Sequence, residues 1–544
     1  MQADVCIVGA GAAGGVLAFE LGRRGIDVGV LESGPRHDFA RRREYVREYL
    51  RHENPWRSRL PHQDAHTFGG RATYDLEGRR ARGIGGSTLA WEGYALRFHH
   101  SDFRLRSEHG IAEDWPIAYD DLEPFYARAE TALGVAGADD DPLASPRSGP
   151  FPLPAFPFSY SDGAFAPVCA KLGVGFAHMP QARNSIAYAG RARCQACATC
   201  HVCPTGAKAS TDLTHIPGAE ATGHVRIATE ATVLRLETDR AGAVGAAVYA
   251  GPDGVERRMR ARLFILAAGA VENARILLLS NGLANSSGLV GQRFMAQPSI
   301  DVIGRVSDNM YPYRIGFSTA VSRQSATGGD RTARAAYLLE FLNSAGGTPG
   351  DLAIRSRLTG EALRRHVQGE FGRRLGIRIY CEHLPQPNNS VSLNPRVRDH
   401  LGLPGPHVTY RVSAYEARAL DEGTTVAAKI LRGVGATDVR YMLMSPAAHQ
   451  IGTHRMGTDP RTSVVDPNLR VHDVPNLYLV GSGCFVTSSA MPPTLTIAAL
   501  AIRAADHIAA RLRPGESGGG AQRGAHAPKL VDGTERLEDH ERAR

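Results

Sequence analysis

The chain opens on a strand, a glycine turn, a helix and a second strand, and nothing else in its 544 residues limits the fold as closely. Asp4-Val5-Cys6-Ile7-Val8 is a short apolar run of the kind a buried strand needs. It leads directly into Gly9-Ala10-Gly11-Ala12-Ala13-Gly14, after which Val16, Leu17, Phe19 and Leu21 recur at helical spacing as far as Gly25. Val28-Gly29-Val30-Leu31-Glu32 reads as the next strand, ending on an acid. By itself a G-x-G-x-x-G segment is also an ordinary tight turn; the strand before it, the helix after it and the acid at the end select a dinucleotide cradle. Glycines let the backbone approach a pyrophosphate, the helix N-terminus presents unpaired N–H groups, and Glu32 is placed to accept from ribose hydroxyls.

A second unit of this kind comes late. Leu263-Phe264-Ile265-Leu266-Ala267-Ala268-Gly269-Ala270 is a strand ending in small residues, followed by a helix through Ile276 to Leu279. Leu477-Tyr478-Leu479-Val480 is another strand, closed by Gly481-Ser482-Gly483. A nucleotide site assembled from segments so far apart implies a discontinuous domain with a second domain inserted in it, and the length also calls for two domains. Arg41 to Arg59 reads as a solvated basic helix face, and Asp139 to Phe158, rich in proline, glycine and acids, as a linker or surface loop. After Pro514 the pattern stops, and a disordered tail is expected.

Composition narrows the partners. An apolar content of 43% with 22% charged residues excludes a disordered chain, a collagen and a small disulfide scaffold. The formal charge of +8 rests on arginine, with only four lysines, and no basic block is interleaved with aromatics as a nucleic-acid surface requires. No apolar stretch is long enough to span a bilayer, and the opening residues lack a signal-peptide pattern, so a cytoplasmic protein is expected unless a partner carries it elsewhere.

Four of the eight cysteines form the run Cys194-x-x-Cys197-x-x-Cys200-x-x-Cys203-Pro204. Two disulfides, a zinc site or an iron-sulfur site are the available readings. Zinc pairs are commonly separated by a longer loop, and three two-residue spacers with a following proline are nearest to an iron-sulfur run.

Taken together the chain resembles the glucose-methanol-choline (GMC) family of flavoenzymes. The likeness rests on the N-terminal turn with Glu32, on Gly83-Ile84-Gly85-Gly86-Ser87-Thr88, on Ala267-Ala268-Gly269-Ala270-Val271-Glu272, and on His449-Gln450-Ile451-Gly452-Thr453-His454-Arg455-Met456-Gly457. Asp114-Trp115-Pro116-Ile117, Ala182-Arg183-Asn184-Ser185 and Leu384-Pro385-Gln386-Pro387-Asn388-Asn389 are similar to one branch, the bacterial sugar dehydrogenases that work with a cytochrome. The resemblance implies an α/β fold with a discontinuous Rossmann-like FAD-binding domain over 1–120, 205–297 and 446–513. It also implies an α+β substrate-binding domain with an antiparallel sheet over 121–204 and 298–445, the cysteine loop near 190–206, and the tail at 514–544. FAD contacts are expected from Gly9, Gly11, Ala12, Ala13, Gly14, Glu32 and Ser33, and from Gly83, Gly85, Gly86, Ser87 and Thr88. Val233, Ala268, Gly269, Gly481, Ser482, Pro493 and Thr494 complete the set.

Oxidising an alcohol requires a base for the hydroxyl proton while hydride leaves carbon for the flavin. In the family the first histidine of the H-x-x-G segment faces the flavin, which makes His449 the expected base and His454 a supporting residue. The position normally held by Asn or a second His is Pro492, which can neither donate nor take a proton. Either His449 acts alone, or Ser488, Ser489 or Thr494 supplies the second polar contact, or catalytic power is reduced. Pro493 suits the first turn of the final helix, whose positive end would then face the flavin and favour its anionic reduced form. The resemblance also implies an iron-sulfur cluster on Cys194, Cys197, Cys200 and Cys203, 4Fe-4S favoured and 3Fe-4S open. Flavin plus cluster points to a dehydrogenase of a sugar, glycoside or polyol with a cytochrome or quinone acceptor and a small escort subunit. An oxidase or dehydrogenase of simple or aromatic alcohols, and a lapsed electron-transfer subunit, are the rivals.

Overall fold

The computed structural model describes residues 2–513 apart from 52, 58, 59, 61, 71, 72 and 329, so the expected tail at 514–544 lies outside the described residues. Gln2–Val8 becomes fully buried after its first residues and lies mid-sheet, as an uninterrupted apolar run requires. Val28–Leu31 and Glu256–Leu266 flank it in parallel; Val225–Ala228 extends one side and Leu477–Leu479 the other. The early part of Glu256–Leu266 diverges into an antiparallel meander with Val244–Ala250 and Thr232–Thr238. This sheet therefore gathers strands from the beginning, the middle and the end of the chain.

Helix Ala12–Gly22 packs beside the last helix, Thr494–Leu512, with Tyr119–Leu133 against the latter. Arg24 and Arg128 each pair with both Glu20 and Asp506, fastening the three helices. A second sheet, antiparallel throughout, runs Thr437–Tyr441, Pro298–Arg305, Arg374–Cys381, Tyr337–Leu342, Ser318–Ser322 and Ala177–His178. Leu375, Ile377, Ile379 and Cys381 alternate onto its apolar face, which forms one core with Ala419, Leu420, Ala427 and Ile430 of helix Ala414–Gly433. Among the described residues no helix is long and apolar enough to cross a membrane.

One local expectation needs correction and another is narrowed. The basic helix, Arg42–Leu50, is not wholly solvated: Arg42 is fully buried beside Trp56 and pairs with Asp212, because an interior acid offsets the cost of burying the guanidinium. The segment from Asp139 to Phe158 is a tethered surface loop, since Arg147 pairs with buried Glu130 at 2.7 Å and lies 3.6 Å over the ring of Phe151.

Gly9 has φ +96°, and a Cβ there would meet Ala267 O at 2.8 Å; a Cβ on Gly14 would fall 1.9 Å from Gly9 O. The turn and the helix thus approach too closely for any side chain. Gly14→Val is expected to lower the unfolding free energy by about 1–3 kcal/mol and to yield protein depleted in flavin. Denaturant unfolding and the flavin absorbance of purified protein check both.

Candidate active site

Glu32 ends the second strand inside the protein, and three backbone segments converge on it. Oε2 accepts from Ala10 N at 2.8 Å, and Oε1 from Gly34 N at 2.8 Å and Gly83 N at 3.2 Å. Burial pushes its pKa up, while those three donors and Arg82 hold it down. The turns so joined border a cavity of about 850 Å³, well within the range of cofactor and ligand sites.

Gly9, Gly11, Ala12, Ala13, Glu32 and Ser33 line this cavity, as do Gly86, Ser87, Thr88, Val233, Ala268, Gly269, Gly481 and Ser482. Gly14, Gly83 and Gly85 stand behind the wall: Gly14 abuts Gly9, Gly83 donates to Glu32, and Gly85 N donates to Ala10 O at 3.0 Å. They shape the turn without facing the space it encloses. His449, Pro492, Pro493 and Thr494 lie in the same wall, with helix Thr494–Leu512 pointing its N-terminus at the cavity. The residues present therefore suit an extended dinucleotide: close backbone, a helix N-terminus at each of two walls, and a carboxylate beside the glycines.

His449 is held by a residue the sequence reading missed. Buried Gln297 donates through Nε2 to the carbonyls of Ser489 and, at 3.0 Å, Met491, which leaves its Oε1 to accept from His449 Nδ1. With both amide hydrogens committed, the proton sits on Nδ1 and Nε2 carries the lone pair. Burial pulls the imidazole down to about 4, opposed by the charge of Glu92, so it is neutral at physiological pH.

The proposed substitutes for the residue at 492 divide. Ser488 Oγ accepts from His383 N at 2.7 Å, and Ser489 Oγ donates to Asp102 at 2.6 Å; both are occupied away from the cavity. Thr494 remains in the cavity wall as the first helical residue, with Pro493 as its cap. His454 is buried, and Nε2 lies 3.2 Å from Asn273 Nδ2; the same amide donates to Leu266 O and its Oδ1 accepts from Ala268 N. It thus braces the Ala267–Gly269 turn. Arg455 pairs with Glu113, a contact between chain segments and not with the cavity.

No disulfide joins the cysteine run: Cys200 and Cys203 are buried, Cys194 half-buried and Cys197 exposed, all as free thiols. The four sulfurs are not gathered into one ligand set, and the described residues hold no cluster of three or more metal-ligating side chains. Their surroundings nevertheless favour negative charge. Fully buried Arg183 directs Nη1 to Cys194 Sγ at 3.7 Å and Cys200 Sγ at 3.9 Å and lies 3.9 Å over the ring of Phe156, while its Nε and Nη2 have no hydrogen-bond partner among the described residues. Backbone N–H groups of Ala196 and Lys208 donate to Cys194 and Cys203 at 3.4 and 3.1 Å. Lys208 donates from Nζ to Thr88 O, Leu89 O and Trp91 O at 3.1, 2.9 and 2.8 Å, and burial pulls its ammonium down to about 8. His201, inside the run, lines the cavity 3.5 Å from Glu92.

Family models for the N- and C-terminal parts of the GMC oxidoreductases match residues 5–299 and 385–501. The chain belongs to the GMC oxidoreductases, and with the family goes oxidation of CH–OH groups by a flavoprotein. It is similar to the fructose dehydrogenase large subunit of Gluconobacter japonicus, 32% identical over 95% of this chain and 99% of that one. It is 28% identical to a 2-methyl-1,2-propanediol dehydrogenase of Mycolicibacterium austroafricanum, over 94% of this chain and 96% of the relative. Among solved structures, a formate oxidase variant of Aspergillus oryzae superposes with a TM-score of 0.67 at 18% identity, covering 94% of this chain and 98% of that one.

Because His449 is held neutral, its resonances are expected to stay unmoved between about pH 8 and 5 and to shift only as pH falls through about 4. In Gln297→Leu, Nδ1 loses its fixed acceptor and a mixture of tautomers should replace the single one. Nitrogen chemical shifts of histidine-labelled protein read both; titration near the ordinary histidine value of roughly 6.5 would contradict the arrangement.

Proposed function

We propose that the chain is an FAD-dependent dehydrogenase that oxidises a hydroxyl group of a sugar, glycoside or polyol. The observation that carries this reading is a half-buried imidazole of fixed tautomer in the wall of the cavity that the glycine turn and Glu32 also line. When bound, FAD supplies the acceptor for the substrate hydride. The glycine turn and the 83–88 segment hold its phosphates and ribose, and the N-terminus of Thr494–Leu512 favours negative charge on the ring. His449 Nε2 takes the hydroxyl proton as the carbon loses hydride, and Gln297 keeps that nitrogen unprotonated beforehand. Pro492 contributes shape alone, so proton handling rests on one imidazole with Thr494 as the remaining polar neighbour.

The sugar or polyol class is supported by relatives named as fructose and 2-methyl-1,2-propanediol dehydrogenases and as a paromamine 6'-oxidase. For the acceptor we infer an iron-sulfur cluster that would draw Cys194, Cys197, Cys200 and Cys203 together, since the free thiols are not gathered into one ligand set. Its support is the spacing, the buried guanidinium of Arg183 directed at two of the sulfurs, and the backbone donors at Cys194 and Cys203. Such a group supplies one-electron transfer to a cytochrome or quinone, which an enzyme that reduces dioxygen directly does not need. Relatives named as a large subunit and as a gluconate 2-dehydrogenase flavoprotein favour assembly with further subunits, a small escort among them.

Holoenzyme mixed anaerobically with a sugar should bleach its flavin, and His449→Ala should slow bleaching by at least ~10²-fold with FAD still bound. Purified protein should carry iron and acid-labile sulfide with its FAD. FAD without iron and sulfide sinks the relay, and hydrogen peroxide release in air matching full turnover favours an oxidase.

A further inference from the structure

The cavity face of the antiparallel sheet breaks the pattern of the rest of the sheet. Asp301 on Pro298–Arg305 lies directly opposite Arg378 on Arg374–Cys381, and Arg378 lies opposite Glu340 on Tyr337–Leu342. Three adjacent strands thus place acid, base and acid in one row; the next row pairs Ser299 with Tyr380. The side chains alternating with these, Ile377 and Ile379 among them, enter the apolar core, so the charged row is confined to the one face that meets the cavity. Arg378 and Asp301 are half-buried and Glu340 fully so; charged residues withdrawn from water in mid-sheet work against stability unless paired and are retained where a site needs them.

The pairing here is incomplete. Arg378 grips Asp301 with Nε and Nη2 at 2.7 and 3.0 Å, but its Nη1 reaches only Tyr380 Oη at 3.4 Å and stays 3.9 Å from both Glu92 and Glu340. Glu340 accepts from Tyr94 Oη at 2.6 Å through Oε1, while its buried Oε2, 3.9 Å from Arg378 Nη1, has no hydrogen-bond partner among the described residues. Asp301, Arg378, Tyr380, Ser299, Glu92 and His449 all line the cavity, and the Tyr380 ring centroid is 6.0 Å from that of His449. Donor and acceptor capacity is therefore left open beside the base. Two carboxylates, Glu92 and Asp301, face the one guanidinium of Arg378, while burial pushes the Glu340 carboxyl up toward its neutral form; the excess of acid over base disfavours an anion there.

We propose that this row is the hydroxyl-reading subsite of the cavity. Glu92 accepts from one hydroxyl and Arg378 Nη1 donates to the oxygen on the neighbouring carbon. The substrate class is then an uncharged molecule with hydroxyls on adjacent carbons, a pyranose or a linear polyol, and sugar acids are excluded. This rests on the sugar or polyol reading given above and adds to it a charge rule and two specificity-determining residues.

The test is anaerobic flavin bleaching of the holoenzyme by D-glucose, D-fructose, D-mannitol, D-gluconate and n-butanol. At least one neutral polyhydroxyl compound should bleach wild-type flavin, with D-gluconate and n-butanol needing roughly 100-fold higher concentrations. With that compound, the nearly isosteric Glu92→Gln should raise the half-saturating concentration about tenfold or more and change the limiting rate less than about threefold. Arg378→Lys should act the same way; where it fails to retain FAD, Glu92→Gln decides alone. An unchanged half-saturating concentration in Glu92→Gln, a fall in limiting rate alone, or D-gluconate at parity overturns the subsite while sugar oxidation stands. Bleaching by n-butanol and by none of the polyhydroxyl compounds overturns the sugar reading itself.

Discussion

The nucleotide half of this protein is organised around one buried carboxylate. Glu32 receives backbone hydrogens from the glycine turn, from the loop after its own strand and from the segment that begins at Gly83. Other side chains tie those pieces at few points, Arg82 donating to Ser33 Oγ at 3.0 Å, since the turn at 9–14 is all glycine and alanine. An ionised acid taken out of water is costly unless several donors surround it, so the segments and the acid hold each other in place. Lys208 plays the complementary role: its ammonium gathers the carbonyls of Thr88, Leu89 and Trp91, which ties the far end of the 83–88 segment to the loop carrying the cysteines.

Around the imidazole the same economy recurs with a neutral group. Gln297 uses both faces of its amide, one to fix the Ser489 and Met491 carbonyls and one to fix Nδ1 of His449. The chain path past Pro492 and the orientation of the base are thus set by a single side chain. This accounts for how a proline fits at a position where the resemblance implied Asn or a second His: the backbone there is gripped from outside and does not depend on the side chain at 492.

What could be read from the chain alone was what lies close together in it. The strand, turn and helix at residues 4–25 declare themselves because apolar period, glycines and helix start follow one another. The line of small residues at 267–270 was likewise legible, whereas the antiparallel second sheet was expected only from the family resemblance. Gln297 was not, because nothing in Met295-Ala296-Gln297-Pro298 signals a partner 152 positions away. Glu92, Arg378 and Glu340 were invisible for the same reason: each is an ordinary charged residue until three strands are aligned. Arg183 was noticed only as part of a family-like segment, and its burial against two cysteines depends on the fold. The spacing of the cysteines suggested a ready ligand set, whereas the structure leaves Cys197 exposed and Cys194 half-buried as free thiols.

The discontinuous sheet has a consequence for how the molecule is made. Gln2–Val8 finds its neighbour in Glu256–Leu266, and that strand is completed on its other side by Leu477–Leu479. A growing polypeptide leaving the ribosome therefore carries its nucleotide turn from the first moment but lacks the walls opposite it until synthesis is nearly finished, since Gly481, Pro493 and Thr494 are also supplied last. Pairings of such long sequence separation close slowly and leave strand edges open meanwhile. Cofactor capture is consequently one of the final events in the life of the nascent chain, and a product truncated before residue 477 holds the signature of a flavoprotein without the means to retain a flavin.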